Sequence, residues 1–394
     1  FEQLGLAVNG AVSFAEASTF GNVDIFGGSN LQINDSVLDV VSISSEGPIA
    51  LALNENTTIT STGAATVQLN GGSQFVNAGS IVAAENAVRS SGNNSQLIND
   101  GSIEAGGSGF NLTDVDTVVV ANTGTITSAA DAVSLQNGAN VMLMNTGTIE
   151  SEAGGIVAAS VSSSLLINEG SITTSGVGGH GLSAGGGQDN VLLNSGSIIT
   201  SGDEAAGIAV LSGSAVVDNA GTIQTSGVGA NGVIIQTSEA MFVNSGTISS
   251  AGGQGAFINA TNAVVMNEGE ISTLEGEGVA LNFASDVAGG DAIIINTGTI
   301  ASNTDALVST DSATTLMNAG TITGAVLLSG EADQIANTGT IAGDVSTGAG
   351  ADSVTNEGVI TGNVDLGADD DMFIFAAGSN VEGTIDGSDG DDTL

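Results

Sequence analysis

The side chains that could carry acid–base or electrophilic chemistry are few in kind. The 394-residue chain contains 43 Asp and Glu residues, but a single Lys or Arg (Arg89), a single His (His180) and no Cys or Tyr. Cleavage of an acidic polysaccharide by elimination needs a base and a charge neutraliser drawn from Lys, Arg, His or Tyr. Arg89 and His180 lie 91 residues apart in the chain, so we do not expect them to share a site.

Carboxylates are the remaining candidates for catalysis. Paired carboxylates serve glycoside hydrolases, and Asp369, Asp370 and Asp371 form the densest cluster. Adjacent residues on a strand or turn point in different directions, and nothing nearby distinguishes an acid from a base. His180 has no second His or Cys to complete a zinc-type site, so we predict a loop residue there. We therefore predict that the chain is not an enzyme, and a polysaccharide hydrolase is the weakest alternative.

The composition excludes several classes of partner and fold. The formal net charge of −42 argues against nucleic acid and against contact with anionic membrane surfaces. Hydrophobic residues make up 41% of the chain, which matches neither a disordered chain nor a disulfide scaffold. No run approaches the roughly 18 apolar residues that span a bilayer. Because the chain starts at Phe1, we expect a mature piece of a longer precursor, with any membrane attachment through an anchor outside this chain.

One short pattern recurs along most of the chain and must position every other side chain. It has an apolar residue, any residue, Asn, any residue, Gly, any residue and Ile, as in VANTGTI at 120–126. The interval between copies averages about 23 residues. The thirteen asparagines are Asn77, Asn99, Asn122, Asn145, Asn168, Asn194, Asn219, Asn244, Asn267, Asn296, Asn318, Asn337 and Asn356.

The pattern predicts an all-β protein, a right-handed parallel β-helix with about three short strands in each turn of about 23 residues. Apolar and polar letters alternate around the motif, which favours strands with one buried face. The apolar residue and the Ile would point inward, and the Ser or Thr before the Ile outward. The asparagines would stack into a ladder of amide hydrogen bonds. The Gly is expected at a corner with a positive φ.

The motif spacing divides the chain into three parts. Residues 54–363 are predicted to form the regular β-helix. Residues 1–53 lack the motif and would form an irregular start of the solenoid or a cap. Residues 364–394 would form terminal coils rich in Asp and Gly. The longest insertion, ASDVAGGDA at 284–292, is either a projecting recognition loop or a tolerated surface insertion.

The repeats over 77–360, followed by the tail VDLGADDDMFIFAAGSNVEGTIDGSDGDDTL at 364–394, resemble the passenger regions of bacterial autotransporter (type V secreted) proteins. The resemblance covers about three quarters of the chain. It implies translocation across the outer membrane of a Gram-negative bacterium, display on the cell surface or release, and a role in adhesion or aggregation.

The same tail resembles the calcium-binding repeats of the repeats-in-toxin family, whose nonapeptide begins GGxGxDxL. The matching stretch is GSDGDDTL at 387–394, and partial echoes occur at 348–354 and 185–191. The resemblance implies that Asp392 is a side-chain ligand, and Ca²⁺ takes six to eight oxygens. No cofactor is required by the sequence, and Ca²⁺ is the one the resemblance suggests. The candidate metal residues are Asp369, Asp371, Asp389, Asp391 and Asp392.

The leading functional hypothesis is an extracellular structural or adhesive β-helical rod on a bacterial surface. Its expected partners are a surface glycan, a surface protein or a second copy of itself. A self-assembling filament or layer subunit is the first alternative, because the ends of β-helices expose strand edges that can stack. An ice-binding solenoid is disfavoured, since Glu104, Glu150 and Ile199 interrupt the outward hydroxyl column.

Overall fold

The computed structural model describes residues 3–14, 17–273, 281–284 and 290–394. The predicted fold class is confirmed: the chain is an all-β parallel solenoid of about 16 turns, with hydrogen-bonded asparagines stacked on successive turns. The described residues contain no helix. The chain divides into two compact units, unit 1 over residues 1–199 and unit 2 over residues 200–394.

Most turns of unit 1 contain three short strands. The strands in chain order are β1 (Gln3–Leu6), β2 (Asn9–Val12), β3 (Ser18–Ile25), β4 (Asn30–Ile33), β5 (Val37–Ser45), β6 (Ala50–Leu53), β7 (Thr58–Ser61), β8 (Ala65–Asn70), β9 (Gln74–Asn77), β10 (Ser80–Ala83), β11 (Asn86–Ser91), β12 (Gln96–Asn99), β13 (Ser102–Ala105), β14 (Phe110–Asp116), β15 (Val119–Asn122), β16 (Thr125–Ser128), β17 (Val133–Ala139), β18 (Met142–Asn145), β19 (Thr148–Ser151), β20 (Ile156–Ser162), β21 (Leu165–Asn168), β22 (Ser171–Thr174), β23 (Leu182–Gly185), β24 (Asn190–Asn194) and β25 (Ser197–Thr200).

In unit 2 several consecutive strands merge into longer ones. The strands in chain order are β26 (Ile208–Val210), β27 (Ser214–Asn219), β28 (Thr222–Thr225), β29 (Val233–Asn244), β30 (Thr247–Ser250), β31 (Ala256–Asn267), β32 (Glu270–Thr273), β33 (Leu281–Ala284), β34 (Gly290–Asn296), β35 (Thr299–Ser309), β36 (Ser312–Asn318), β37 (Thr321–Leu327), β38 (Gln334–Asn337), β39 (Thr340–Ala342), β40 (Val345–Ser346), β41 (Ser353–Asn356), β42 (Val359–Ile360), β43 (Val364–Asp365), β44 (Met372–Phe375), β45 (Asn380–Val381) and β46 (Ile385–Asp386).

Within each unit, the described strands pair in parallel with the equivalent strands of neighbouring turns. In unit 1, Asn77 lies beside Asn99, and Ile81 lies beside Ile103. We call the strands that end at a motif Asn the ladder row, and the strands that contain the motif Ile the second row. The remaining strand of each turn belongs to the third row. The motif isoleucines are at most 1% exposed, so they form a continuous apolar interior.

The segment before the first motif already follows this geometry. Strand β2 pairs with β4, β4 with β6, and β6 with β9, all in parallel. In that register Leu53 lies beside Asn77, so the column occupied by Asn in later turns is occupied by a buried Leu. The outward Ser and Thr of the motif begin the second-row strands, as Ser80 and Thr125 do.

The asparagine ladder is confirmed in both units. In unit 1, each Asn from Asn77 to Asn168 donates its side-chain N–H to the side-chain oxygen of the next Asn, at 2.7–2.8 Å. In unit 2, the same bonds run from Asn219 to Asn356, at 2.7–2.9 Å. These side chains are at most 2% exposed, so each bond satisfies polar groups that would otherwise be buried without partners.

The two ends of the ladder differ. The side-chain oxygen of Asn77, which faces the turn of Leu53, is buried and has no hydrogen-bond partner. At the other end, Asn356 donates its side-chain N–H to the backbone oxygen of Asn380 at 3.1 Å. The ladder therefore begins at Asn77 with an unsatisfied acceptor and ends at Asn356 with a hydrogen bond to a backbone oxygen.

The predicted role of the motif glycine is wrong. All thirteen motif glycines lie in described segments, and none has a positive φ. A Cβ at Gly124 would instead overlap the backbone oxygen of Gly101, and a Cβ at Gly320 would overlap that of Gly298. Glycine is needed here because the bends of successive turns stack too closely for any side chain.

This close stacking predicts that Gly320→Ala destabilises unit 2 by about 1–3 kcal/mol or more, because the new methyl must push two turns apart. Gly330→Ala is the matched control, since the nearest atom to its Cβ would be 4.0 Å away. Urea unfolding followed by far-ultraviolet circular dichroism measures both variants. Equal stability of the two variants would contradict the steric explanation.

Candidate functional site

A groove runs along the second row of unit 1. It has a volume of about 590 Å³ and crosses several consecutive turns. Five outward side chains, one from each turn, line it, because alternate residues of a strand face opposite sides. These residues are Val82, Glu104, Thr127, Glu150 and Thr173.

Small residues at the first three bends after the second-row strands leave space in the groove, whereas the fourth bend carries Glu152. Ala84, Gly106 and Ala129 occupy successive bends, where larger side chains would fill the space. With turns stacked about 4.8 Å apart, the backbones at Glu104 and Glu150 are separated by about 10 Å along the axis. The carboxylates can accept hydrogen bonds from a ligand rich in hydroxyl groups, and the Thr hydroxyls can both donate hydrogen bonds to it and accept them from it.

Arg89 lies on a different face, in the third row. It lines a polar pocket of about 310 Å³ together with Ser44, Gln68 and Asn70. His180 lies in the bend before β23, four turns further along the third row, and burial lowers the pKa of its imidazole. The structure therefore does not bring Arg89 and His180 together.

The acidic residues of the tail are distributed over stacked bends. Asp369 has a φ of 85° and accepts a hydrogen bond from the N–H of Gly350. The N–H of Asp389 donates to the backbone oxygen of Gly367, and the N–H of Asp391 donates to the Asp370 carboxylate. All four aspartates are exposed; the carboxylates of Asp369 and Asp370 accept backbone N–H groups, whereas Asp389 and Asp391 are bonded through their own backbone N–H.

Asp371 and Asp392 belong to a second ladder that the sequence analysis missed. In this ladder a carboxylate oxygen of each Asp accepts the backbone N–H of the residue one turn earlier. Asp333 accepts from Thr314 at 2.6 Å. The next three bonds measure 2.7, 2.8 and 3.0 Å. The aspartate ladder consists of Asp333, Asp352, Asp371 and Asp392.

Burial changes the protonation of this ladder. Asp333, Asp352 and Asp371 are at most 3% exposed. Burial raises the pKa of Asp333 to about 6 and that of Asp352 to about 7, and it also raises the pKa of Asp371. Neighbouring carboxylates add to the shifts, while the backbone N–H groups oppose them. One oxygen of Asp352 and one of Asp371 have no hydrogen-bond partner.

Calcium binding stays a prediction of the repeats-in-toxin resemblance. The aspartate ladder leaves single unpartnered carboxylate oxygens, whereas Ca²⁺ takes six to eight oxygen ligands. Across the part of the chain that the structure describes, no three His, Cys, Asp or Glu side chains converge where they could hold a metal ion.

The proposed recognition loop at 284–292 falls mostly outside the described residues, which omit 285–289. Within the described segments, no helix is long and apolar enough to cross a bilayer.

A comparison with protein-family models identifies the family of the chain. Residues 14–256 match the BigA third pectate lyase-like domain, and this span includes the whole groove and exceeds half of the chain. The chain belongs to this BigA domain family. Searches of the curated proteins and of the solved structures find no match. The BigA-family match agrees with a β-helical passenger, which is the coarser part of the predicted resemblance.

Proposed function

We propose that this BigA-family chain is an adhesin-like β-solenoid of the bacterial surface, and that the unit 1 groove binds a neutral glycan. BigA is an autotransporter-like adhesin, which supports a surface or extracellular location for this chain as well. The single observation that carries the glycan assignment is the alternation of Glu104, Thr127, Glu150 and Thr173 along one open groove.

The charge of the groove selects the class of glycan. Glu104, Glu150 and Glu152 line it, and no Lys or Arg is among its lining residues. Carboxylates repel an acidic polysaccharide, so a pectate-type ligand is disfavoured although the family is pectate lyase-like. Neutral sugar hydroxyls would instead donate hydrogen bonds to the carboxylates. With the Thr hydroxyls they could both donate and accept hydrogen bonds.

We expect the groove to bind its ligand and leave it intact. Elimination needs a positively charged or phenolic group beside the base, and the groove lining supplies only carboxylates, hydroxyls and small side chains. No cofactor enters this proposal. Incubation with neutral and acidic polysaccharide panels is expected to release no shorter products, and any turnover would contradict this part of the proposal.

The binding test is a double substitution in the groove. Glu104→Ala with Glu150→Ala should weaken binding to a neutral glycan panel at least tenfold, because each lost charged hydrogen bond is worth about 1.5–3 kcal/mol. Glu169→Ala removes the same charge at an exposed bend outside the groove and should leave the affinity unchanged. Biolayer interferometry on immobilised glycans gives the dissociation constants.

Two outcomes would overturn the groove assignment. If the wild-type protein binds no glycan on the panel, the groove is not a glycan-binding site. Equal weakening by the control Glu169→Ala would show that general charge, and not the groove, controls binding.

A further inference from the structure

The outward face of the ladder row is apolar. In each ladder-row strand, the residues one and three positions before the Asn face outward. In unit 1, ten of these twelve side chains are apolar and the other two are Gln. We call this set the apolar strip of unit 1: Gln74, Val76, Gln96, Ile98, Val119, Ala121, Met142, Met144, Leu165, Ile167, Val191 and Leu193.

The ladder row of unit 2 repeats the pattern in part, with apolar residues at nine of its fourteen outward positions. Its outward positions include Val216, Val264 and Ile293, and one acidic residue, Asp218. Five of the six methionines of the chain lie on these outward faces, and the sixth, Met372, continues the row one turn beyond the last motif Asn, beside Ser353. The six methionines are Met142, Met144, Met241, Met266, Met317 and Met372.

The strip of unit 1 is accessible and uncharged. Val119 is 38% exposed and Met142 is 41% exposed, which is high for large apolar residues in the middle of a sheet. None of its twelve residues is charged, although the whole chain carries a net charge of −42. A contiguous exposed apolar face of this kind marks an interaction surface. Methionine is favoured on such surfaces because its flexible side chain adapts to a partner.

We propose that the apolar strip of unit 1 docks onto the same strip of a second copy of this chain. The two sheets would pack face to face, about 10 Å apart, with their apolar rows interdigitated. The strip lies on the ladder row and the glycan groove on the second row, so this association is independent of the proposed glycan binding.

Two features favour a second copy over another partner. The side-chain rows repeat with the spacing of the turns, and only a surface with the same period matches them along their whole length. Copies of so acidic a chain repel each other, and the repulsion is smallest when uncharged faces meet. A cationic partner would instead choose the acidic faces.

The area of the strip determines how strongly two copies are expected to associate. Four residues across and six turns along give a flat area of about 400 Å² in unit 1. A standard stable interface buries roughly 800 Å² on each partner. We therefore expect a weak dimer in solution, which many copies displayed on one surface would strengthen through multivalency.

Sedimentation velocity of the full chain over a range of concentrations tests the proposal. Wild-type protein should show a dimer that grows with concentration. Val119→Glu with Met142→Glu should weaken association at least tenfold, because four charges would meet across the dimer. Ile199→Glu is the control: Ile199 is 39% exposed and faces outward on the second row, outside the groove, so this variant should dimerise like the wild type. A monomer at all concentrations, or loss of the dimer in the control, would overturn the proposal.

Salt and oxidation provide two readouts that need no substitution. Raising NaCl screens the repulsion between copies and should strengthen the dimer, whereas an interface held by ion pairs would weaken. Mild peroxide should dissociate it, since the chain has no Cys to oxidise and both methionines of unit 1, Met142 and Met144, lie on the strip. A dimer that weakens with salt or resists complete methionine oxidation would contradict the proposal. Binding to phosphatidylcholine vesicles by a chain that stays monomeric would assign the strip to lipid and overturn it as well.

Discussion

Replacing Asn145 with leucine should lower the unfolding free energy of unit 1 by about 2–4 kcal/mol. Asn145 accepts a hydrogen bond from Asn122 at 2.7 Å and donates one to Asn168 at 2.8 Å. Leucine would leave a buried donor on one neighbour and a buried acceptor on the other. Each unsatisfied buried polar group costs about 1–3 kcal/mol. Urea unfolding followed by circular dichroism at neutral pH measures the change.

Asn77→Leu is the matched control for this prediction. The side-chain oxygen of Asn77 already has no partner, and the residue beside it in the preceding turn is Leu53. The substitution extends that leucine column and leaves only the acceptor on Asn99 without its donor. We expect roughly half the loss seen for Asn145→Leu. An equal or greater loss at Asn77 would show that the ladder bonds contribute little beyond packing.

The stability of unit 2 should fall as the pH rises from about 4 to about 7. The pKa of Asp333 is raised to about 6 and that of Asp352 to about 7 from an ordinary value of 3.8. The folded state therefore binds their protons more tightly than the unfolded state does. The resulting stabilisation is complete below about pH 4 and is lost as the pH passes the raised values. For Asp352 alone it is on the order of 4 kcal/mol.

Asp352→Asn isolates this effect. The amide oxygen of Asn can still accept the N–H of Asp333, but the side chain no longer ionises. The variant should be more stable than the wild type above pH 7, and its stability should vary less between pH 4 and 7. Asp311→Asn, at an exposed position outside the ladder, should keep the wild-type profile. Thermal melts across this pH range decide the matter, and an unchanged profile in Asp352→Asn would contradict the assignment.

The sequence predicted the parallel solenoid because its letters repeat in the columns that the fold stacks. Asn and Ile recur at fixed positions in each copy of the motif, and a side chain that hydrogen-bonds or packs against its own kind on the next turn must recur in this way. The structure accordingly places Asn99 beside Asn122 and Ile103 beside Ile126. The sequence pattern predicts the structure correctly at these positions because the same packing or hydrogen-bonding requirement applies to every turn.

The sequence analysis misassigned the motif glycine and missed the aspartate ladder, for different reasons. A glycine in a sequence does not reveal whether it serves a positive φ or a close backbone approach, and Gly124 serves the second. The aspartate ladder occupies only the last turns, where its residues also suggested calcium ligands. A usable signal existed, since Asp333 and Asp352 each stand four residues before a ladder Asn.

The apolar strip shows that alternation of apolar and polar residues in the sequence does not identify the exposed face of every strand. Burial alternates along the ladder row, but polarity does not, because the outward residues Val119 and Ala121 are apolar as well. The sequence analysis assigned an outward direction only to the Ser or Thr before the Ile, so it did not identify the outward residues of this row. Only the structure, by fixing which residues face outward in every turn, identified five of the six methionines as members of one kind of surface.

Cysteine cross-linking tests the central claim most directly, because the chain has no Cys of its own. Thr125 and Thr148 are paired across one turn, within the 4.4–6.8 Å Cα separation that a disulfide allows. The account predicts that Thr125→Cys with Thr148→Cys cross-links under mild oxidation. Thr125→Cys with Ser171→Cys, two turns or about 10 Å apart, should not. Cross-linking of the second pair but not the first would contradict the stacking of consecutive repeats.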